Sequence, residues 1–559
     1  MRKSRPSQAG EQEGAPVLRE PRMGPQPLAT KRPKTRNQRR RTRQRHLEAG
    51  LAVIAGRTVG VLSRRLHLGG GTSIVGIVAQ RVYPDIVEHL ATQLEHGSII
   101  VTGTNGKTTT SNFIASIMRH AGLYVWNNKE GSNLMRGVAA ALVTHALPNG
   151  QMRRTAEAIS ILEVDEAALP QVVRAIPPRV LVITNLFRDQ LDRYGEVDSI
   201  LQYWQQAIKQ LPETSTLVLN ADDPAIANLG IGFQGHILYY GIDDLSLNLL
   251  SQQDQTAVHH QTLDTRMCPA CGNAYVYDVQ FYSHMGHYHC PTCDTRRPQP
   301  EVSAKHIQLD TFDSWHVQLE KAGEAHELTV PLPGLYNVYN ALAAVTAAQA
   351  LAVGWEPTST AIEQAVPVFG RGERIEAEGR SIRLLLAKNP TGFNEVLRTL
   401  FTEEVSRHIL FVLNDNTADG HDISWIWDVD FERAVGHTTT VTVAGTRAAD
   451  LALRLKYAGL PQEQITIVPS APLRALRQQI IQARKARRAR RTGKLSTKQA
   501  AQLQPATPYG LKQALSVALQ QTPVGETLFV VPTYTALLEI HRELGQRGLT
   551  TNYWEGKKV

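Results

Sequence analysis

The sequence predicts an α/β protein: a doubly wound, largely parallel sheet with a small cysteine-rich insertion, followed by a second, smaller α/β domain. Three observations predict it. Short apolar runs alternate with helical periods over two long stretches, a glycine-rich turn joins the first such run to a helix start, and all four cysteines fall into two CxxC pairs between the stretches. With 559 residues, 42% hydrophobic and 20% charged, the chain is too long for a single small binding module. It is also too apolar for a disordered chain and too evenly charged for a multispanning membrane protein.

Charge is unevenly placed. Residues 1–46 hold 14 Lys and Arg against 3 Asp and Glu, which exceeds the net +9 of the whole chain, and eight more cations with no acid lie between Arg484 and Lys498. The remaining body is therefore acidic. The tail, rich in Pro, Gly, Gln and Arg and without an apolar period, cannot repay its ordering entropy and is expected to be disordered. It has no apolar run followed by a small-residue cleavage site, so a cytoplasmic protein is expected.

Residues 47–95 read as short amphipathic helices around the Gly69–Gly71 run. From 96 the strands SIIVT, AISILEVDE, VLVITNL and TLVLNADDP alternate with helices, the signature of a parallel sheet. Between about 235 and 330 the pattern changes to HILYYGI, NAYVYDVQFYSH, HIQLDTF and SWHVQLE, read as a small β insertion with its ribbon at about 262–300. The longest stretch without formal charge, Leu328–Trp355, contains Pro331, Pro333 and Gly334, and its apolar part falls short of the roughly 20 residues a bilayer requires. It is expected to be a buried helix. FGRGERIE, near 369–376, reads as the end of a central domain spanning 96–370. A second unit, 371–559, follows with strands in IRLLLAKNP, HILFVLND, TVTVAGT, ITIVPS and TLFVVPTY, interrupted by an exposed basic excursion at about 482–508.

The segment VTGTNGKTTTSNF sets Gly103, Thr104, Asn105, Gly106, Lys107, Thr108 and Thr109 between an apolar strand and a helix start. Backbone N–H groups at such a turn cradle phosphates, Lys107 reaches the terminal phosphates, and the Thr108 hydroxyl can ligate Mg²⁺. Glu163, at the end of a parallel strand, faces the ligand crevice as a candidate second Mg²⁺ ligand. Its neighbours Asp165 and Glu166 read equally well as a solvated loop. Cys268, Cys271, Cys290 and Cys293 have the spacing of a zinc ribbon, in which four thiolates close the shell of a structural ion. His284, His287 and His289, between the pairs, are then local structure.

The string GTNGKTTT is that of the Mur ligases and folylpolyglutamate synthases, which activate a carboxylate with ATP and form an amide. Together with NNKEGSNLMRG, ITNLFRDQLDRYGE, LNADDP, YNVYNALAA, AKNPTG, the four-cysteine ribbon and LNDNTADGHDISWIWDVDFE, it makes residues 47–559, without the basic excursion, resemble the MurT family, Mur ligase-like subunits of lipid II isoglutaminyl synthase. The resemblance implies a Mur ligase-type central domain and an ATP-dependent carbon–nitrogen ligase of peptidoglycan synthesis. It implies an acyl phosphate on the D-glutamate α-carboxyl of the lipid II stem peptide, which ammonia converts to D-isoglutamine. It also implies that Asn337, Asn340 and Arg371 line the nucleotide side of the cleft, and that a GatD-like glutaminase partner supplies Cys and His while Asp422 of this chain completes its triad, with Asp415 and Asp419 as alternatives. Departures from the wider Mur pattern are Gln190 for a histidine in DQLDRYG, and Leu385 and Lys388 in LLAKNP. The short segment before the phosphate loop leaves no room for the UDP-sugar-binding domain of most Mur ligases, so a soluble UDP-linked substrate is not expected.

Two other readings use the same features. A stand-alone ligase taking a free amine is disfavoured by the reworked C-terminal domain and because every cysteine is committed to metal. A nucleic-acid binder, read from the Arg-rich tail and ribbon, conflicts with the acidic body, so no nucleic-acid partner is expected. The tail can also be drawn to anionic lipid, giving a peripheral membrane contact where a lipid-linked substrate resides.

Overall fold

The computed structural model describes residues 36–65, 72–128, 133–189, 197–251, 267–367, 369–403, 405–468 and 510–550. Residues 1–35, the Gly69–Gly71 run, Gln190 and the 482–508 excursion lie outside them. Three N-terminal helices, α1 (Arg36–Arg65), α2 (Thr72–Val82) and α3 (Ile86–Ala91), precede a nine-stranded sheet. Its strands are β1 (Ser98–Thr102), β2 (Tyr124–Asn127), β3 (Ala158–Glu163), β4 (Val180–Ile183), β5 (Thr216–Asn220), β6 (His236–Ile242), β9 (Val302–Thr311), β10 (Ser314–Lys321) and β11 (Glu324–Val330). The hairpin β7 (Val276–Tyr282) and β8 (Met285–His289) stands apart. Helices α4 (Lys107–His120), α5 (Met135–His145), α6 (Leu169–Ala175) and α7 (Val197–Ile208) connect the strands, and α8 (Leu335–Ala350) and α9 (Trp355–Glu363) follow them.

The order is β11-β10-β9-β6-β5-β4-β1-β3-β2, parallel from β2 through β9 and antiparallel beyond. The strands read as unbroken apolar runs because both faces are covered. Ile99, Val101, Ile161 and Val182 meet α4 and α8 on one face, whereas Ile100, Leu162, Leu181 and Ile183 meet the N-terminal helices and α5–α7 on the other. The chain leaves β1 for β2 on one side and reaches β4 on the other, so a crevice opens at the carboxyl ends of β1, β3 and β4.

The second sheet, β12 (Arg371–Ala377), β13 (Arg380–Leu385), β14 (Arg407–Val412), β15 (Thr438–Ala444), β16 (Ile465–Ile467) and β17 (Thr527–Pro532), has the order β12-β13-β17-β14-β15-β16. It is parallel apart from β12. Helices α10 (Pro390–Leu400) and α11 (Ala448–Tyr457) cover one face, and α12 (Leu511–Gln521) and α13 (Tyr534–Gln546) the other.

Three expectations are corrected. The helix α1 begins at Arg36, so residues 36–46 belong to it and not to a disordered tail. Arg and Gln are good helix formers, and the packed turns that follow supply the nucleus they extend. Most of 235–330 is not an insertion: β6 pairs with β5, and β9–β11 widen the sheet, leaving only β7–β8 and the cysteine knuckles outside it. Alternating polar and apolar residues mark a one-sided strand but not which sheet it joins. FGRGERIE forms β12 and so opens the second sheet instead of closing the first. The uncharged stretch behaves as expected: α8 is buried along most of its length. Among the described residues no helix is long and apolar enough to cross a membrane.

The N-terminal helices dock through small residues. A Cβ on Gly76 of α2 would stand 2.0 Å from the Arg136 carbonyl oxygen of α5 and 2.9 Å from the Ala140 nitrogen, both rigid backbone. Gly76→Ala is therefore expected to lower stability by about 1–3 kcal/mol, the usual cost of overpacking. An unshifted denaturant midpoint would show that α2 and α5 can separate freely.

Candidate active site and metal centre

The turn after β1 depends on two glycines in left-handed conformations, Gly103 at φ 136° and Gly106 at φ 83°. Neither has room for a side chain: a Cβ on Gly103 would meet the Thr184 hydroxyl at 2.1 Å, and one on Gly106 the Asn340 amide oxygen at 2.0 Å. Asn185, just past β4, fixes the loop between them. Its carbonyl accepts from the Thr104 N–H at 3.0 Å and its side-chain oxygen from the Asn105 N–H at 2.8 Å. The loop delivers the chain into α4, whose first-turn N–H groups have no intrahelical acceptor and whose first residues, Lys107, Thr108 and Thr109, line the crevice.

Lys107 is buried and folds back over the loop, donating to the carbonyls of Gly103 and Thr104 and to both carboxylate oxygens of Glu166 at 3.1 and 3.2 Å. Glu166 is thus a buried partner of Lys107, which corrects the solvated-loop alternative. Burial pushes its carboxyl above the ordinary range, and Lys107 and then Lys388 pull it back only in part. A lone acid after EVD carries no sequence signal for this; the buried lysine does, since its charge needs a partner.

Glu163, Thr108, Lys107 and Asn340 line one cleft of about 390 Å³ with Arg371, Lys388 and Glu395 from the second domain. Arg371 donates to the hydroxyls of Thr108 and Thr109 at 3.0 and 3.2 Å. Asn340 accepts from the Thr110 hydroxyl and donates to Asn337, which in turn holds the Pro333 carbonyl at 2.7 Å. Asn337 is therefore a support behind Asn340 and not part of the cleft wall, and Gly103 serves the turn. Thr108 and Glu163 bring a hydroxyl and a carboxylate, hard oxygen donors suited to Mg²⁺, to the same cleft.

Lys388, noted only as a departure, pairs with Asp189 across the domains. Burial disfavours its charge, but Asp189 and Glu166 outweigh this and hold its pKa above the ordinary lysine value. Leu385 is core. An adjoining cleft shares Asp189 and Lys388 as wall and has Asp419 and Asp422 along it. The three loop acids differ in what they already hold. Asp415 accepts from Thr446 and Arg447. Asp419 is buried and engaged by the N–H and hydroxyl of Thr535. Asp422 is exposed, and hydrogen bonds from the Ser424 N–H and then its hydroxyl keep its carboxyl below the usual range, hence ionised at neutral pH.

The four cysteine sulfurs lie within 4.8 Å of one another, with Cys268 and Cys293 3.6 Å apart and Cys271 and Cys290 3.3 Å apart. Such spacings are far beyond a disulfide bond and close to those set by four Zn–S bonds of about 2.3 Å. Turn hydrogen bonds shape both knuckles: Gly272 N–H to the Cys268 carbonyl, and Cys290 N–H to the Thr295 carbonyl. The histidines stay out, His284 buried beside Asp223, His287 on the Ile242 carbonyl and His289 on Asp278. Cys268→Ser should lower zinc stoichiometry and loosen the hairpin, since structural zinc contributes folding energy. Elemental analysis that found no zinc in the wild-type protein would refute the assignment.

The Mur ligase middle domain matches residues 101–288, and the MurT ligase C-terminal family matches 386–497. The chain is 33% identical over 389 residues to the lipid II isoglutaminyl synthase (glutamine-hydrolyzing) subunit MurT of Staphylococcus aureus, covering 69% of this chain and 83% of that protein. It is 33% identical to the corresponding subunit of Streptococcus pneumoniae, covering 75% and 89%. A pseudomurein peptide ligase type C from Methanothermus fervidus shares the fold with a TM-score of 0.56 at 20% identity, over 83% of this chain and 81% of that one. Both halves of the chain are thus matched, and the chain belongs to the MurT family of ATP-dependent Mur ligase-type enzymes.

Proposed function

We propose that the protein amidates the α-carboxyl of D-glutamate in the lipid II stem peptide, working in the cytoplasm at the inner face of the membrane with a GatD-like glutaminase as partner. The carboxylate oxygen takes the γ-phosphoryl group of ATP, releasing ADP. Ammonia then attacks the acyl carbon, phosphate leaves with the bonding electrons, and the nitrogen loses a proton to give the amide. Lys107 and Arg371 place positive charge where the transferred group carries negative charge, and the α4 N-terminus adds its N–H groups. Thr108 and Glu163 would hold Mg²⁺, whose chemistry here is to neutralise phosphate charge. Asn340 and Asn105 shape the floor.

The observation that carries this reading is the pairing of that cleft with a solvent-facing, ionised Asp422 on the adjoining cleft, while all four cysteines are gathered in the ribbon. Glutamine hydrolysis needs a nucleophilic thiol and a histidine. A chain with no thiol to spare can instead lend the carboxylate that orients the partner's histidine and fixes its tautomer. Asp415 and Asp419 are less suited because both oxygens of each are engaged by distant segments, Thr446 and Arg447 for the first and Thr535 for the second, and Asp419 is buried, whereas the exposed Asp422 is bonded by the nearby Ser424.

Lys107→Met should abolish ATP-dependent amidation and also cost up to about 3 kcal/mol of stability, because Glu166 is left buried without its cation. A carboxyl whose folded pKa lies above its unfolded value penalises folding as pH rises through the unfolded value. The variant should therefore recover stability as pH falls toward about 4.5, and Lys107→Met/Glu166→Gln should recover it at neutral pH while remaining inactive. Undiminished amidation in either variant would defeat the site assignment.

Asp422→Asn should leave the heterodimer assembled but stop glutamine hydrolysis, and added ammonium should restore amidation because the nucleotide cleft is untouched. If glutamine-dependent activity survives in Asp422→Asn, Asp415→Asn and Asp419→Asn alike, the shared triad is wrong.

A further inference from the structure

The first helix is packed inside out. Its buried positions are small or short, Ala49, Gly50, Ala52, Val53 and Gly56, and they approach their neighbours closely: a Cβ on Gly56 would stand 2.8 Å from the Val75 carbonyl oxygen of α2. Its large apolar residues face outward. Leu47, Leu51, Ile54, Val61 and Leu62 are 66, 63, 50, 42 and 50% exposed. At about 100° per residue these five fall within an arc of about 100°, one continuous stripe roughly 22 Å long. A helix that served only to pad the sheet would bury that set, and single exposed leucines would not align.

The turns that precede the stripe on the same helix carry Arg36, Arg39, Arg40, Arg41, Arg43 and Arg45, and no Asp or Glu occurs between Arg22 and Leu47. The occupant must therefore be apolar and anionic together. A second copy of this chain satisfies the first demand and not the second, because parallel pairing through the stripe would bring two arginine-rich segments side by side. Nucleic acid satisfies the second and leaves the leucines in water. An anionic bilayer satisfies both: a helix lying in the interface sinks its apolar face about 5–10 Å into the headgroup boundary while its cations meet lipid phosphates.

We propose that α1 is the membrane-docking element of this enzyme, lying in the plane of an anionic lipid surface through Leu47, Leu51, Ile54, Val61 and Leu62. The same helix is tied to the catalytic domain from its inner side. Arg57 donates to the carbonyls of Val143, Thr144 and Ala146 at the end of α5, and the opposite end of α5 supplies Arg136 to the nucleotide cleft. Docking α1 thus holds the cleft about one short helix from the surface. Only the reason for docking, a lipid-linked acceptor, rests on the proposed reaction.

Co-sedimentation of the full-length chain with vesicles of phosphatidylcholine, with and without phosphatidylglycerol, tests this without substrate. The wild type should partition onto the anionic vesicles. Leu51→Gln/Ile54→Gln, which changes no charge and alters only exposed positions, should lose about tenfold or more in partition coefficient at unchanged thermal stability. Leu51→Met/Ile54→Met should keep it. Binding of the glutamine variant within about twofold of wild type would mean that charge alone acts and would overturn the proposal, as would an absence of vesicle binding. A concentration-dependent dimer of the wild type in light scattering, abolished by the same variant, would assign the stripe to a second copy and overturn it equally. Failure of the wild-type complex to amidate lipid II would count against the reaction and leave the vesicle result standing.

Discussion

The loop between β1 and α4 has no spare volume, and the rest of the site is arranged around that fact. Gly103 is closed off by Thr184 and Gly106 by Asn340, so the backbone path is fixed by contact with β4 on one side and α8 on the other. Residues distant in sequence then bind the loop itself: Asn185 through its carbonyl and amide, Asn389 through the Asn105 side chain at 3.1 Å, and Arg371 through two threonine hydroxyls. Preorganisation of this kind matters because phosphoryl transfer asks little of a protein beyond placed charges.

The ribbon belongs to the same arrangement although its metal centre lies outside the cleft. A two-stranded hairpin is marginal on its own, and a metal held by the four clustered cysteines would supply what its small core cannot. Its tip is put to use. Tyr282 lines the cleft, the Phe281 carbonyl accepts from Arg398 of α10, and the buried His284 ring packs 4.9 Å from Phe187, whose N–H and carbonyl both bond the Thr104 hydroxyl. The hairpin tip therefore bridges the β1–α4 loop and the second domain.

Sequence made the glycine-rich turn after β1, the cysteine cluster and most parallel strands legible because each has a local cause: a spacing, a pair of glycines, an apolar run. What it hid was pairing at a distance. Nothing adjacent to Glu166 announces that it faces Lys107, nor does AKNP announce that Lys388 reaches Asp189. The strands β9–β11 alternate as a free-standing sheet would, and only their register against β6 shows that they extend the main one. Asn337 and Asn340 illustrate the intermediate case. The string YNVYN puts both on one face of a helix three residues apart, yet only the packing shows that one meets the cleft and the other supports it.

Over the cleft itself the two domains meet through polar contacts: Arg371 on Thr108 and Thr109, Asn389 on Asn105, Lys388 on Asp189, and Arg188 on Asp428 at 3.4 Å. Apolar contact between the domains includes Phe312 of the β9–β10 turn, which packs 5.3 Å from Phe529 of β17 beside the Asp313–Arg383 ion pair. Polar contacts such as those over the cleft can be exchanged for ligand contacts at little net cost, whereas buried apolar area cannot. Arg371 sits where that exchange is most favourable. Its present acceptors are neutral hydroxyls, and a nucleotide offers charged oxygens to the same guanidinium, bonds roughly twice as strong. Over the cleft the domain arrangement is thus held in part by Arg371 and Lys388, cations that would suit an anionic ligand as well as their present partners.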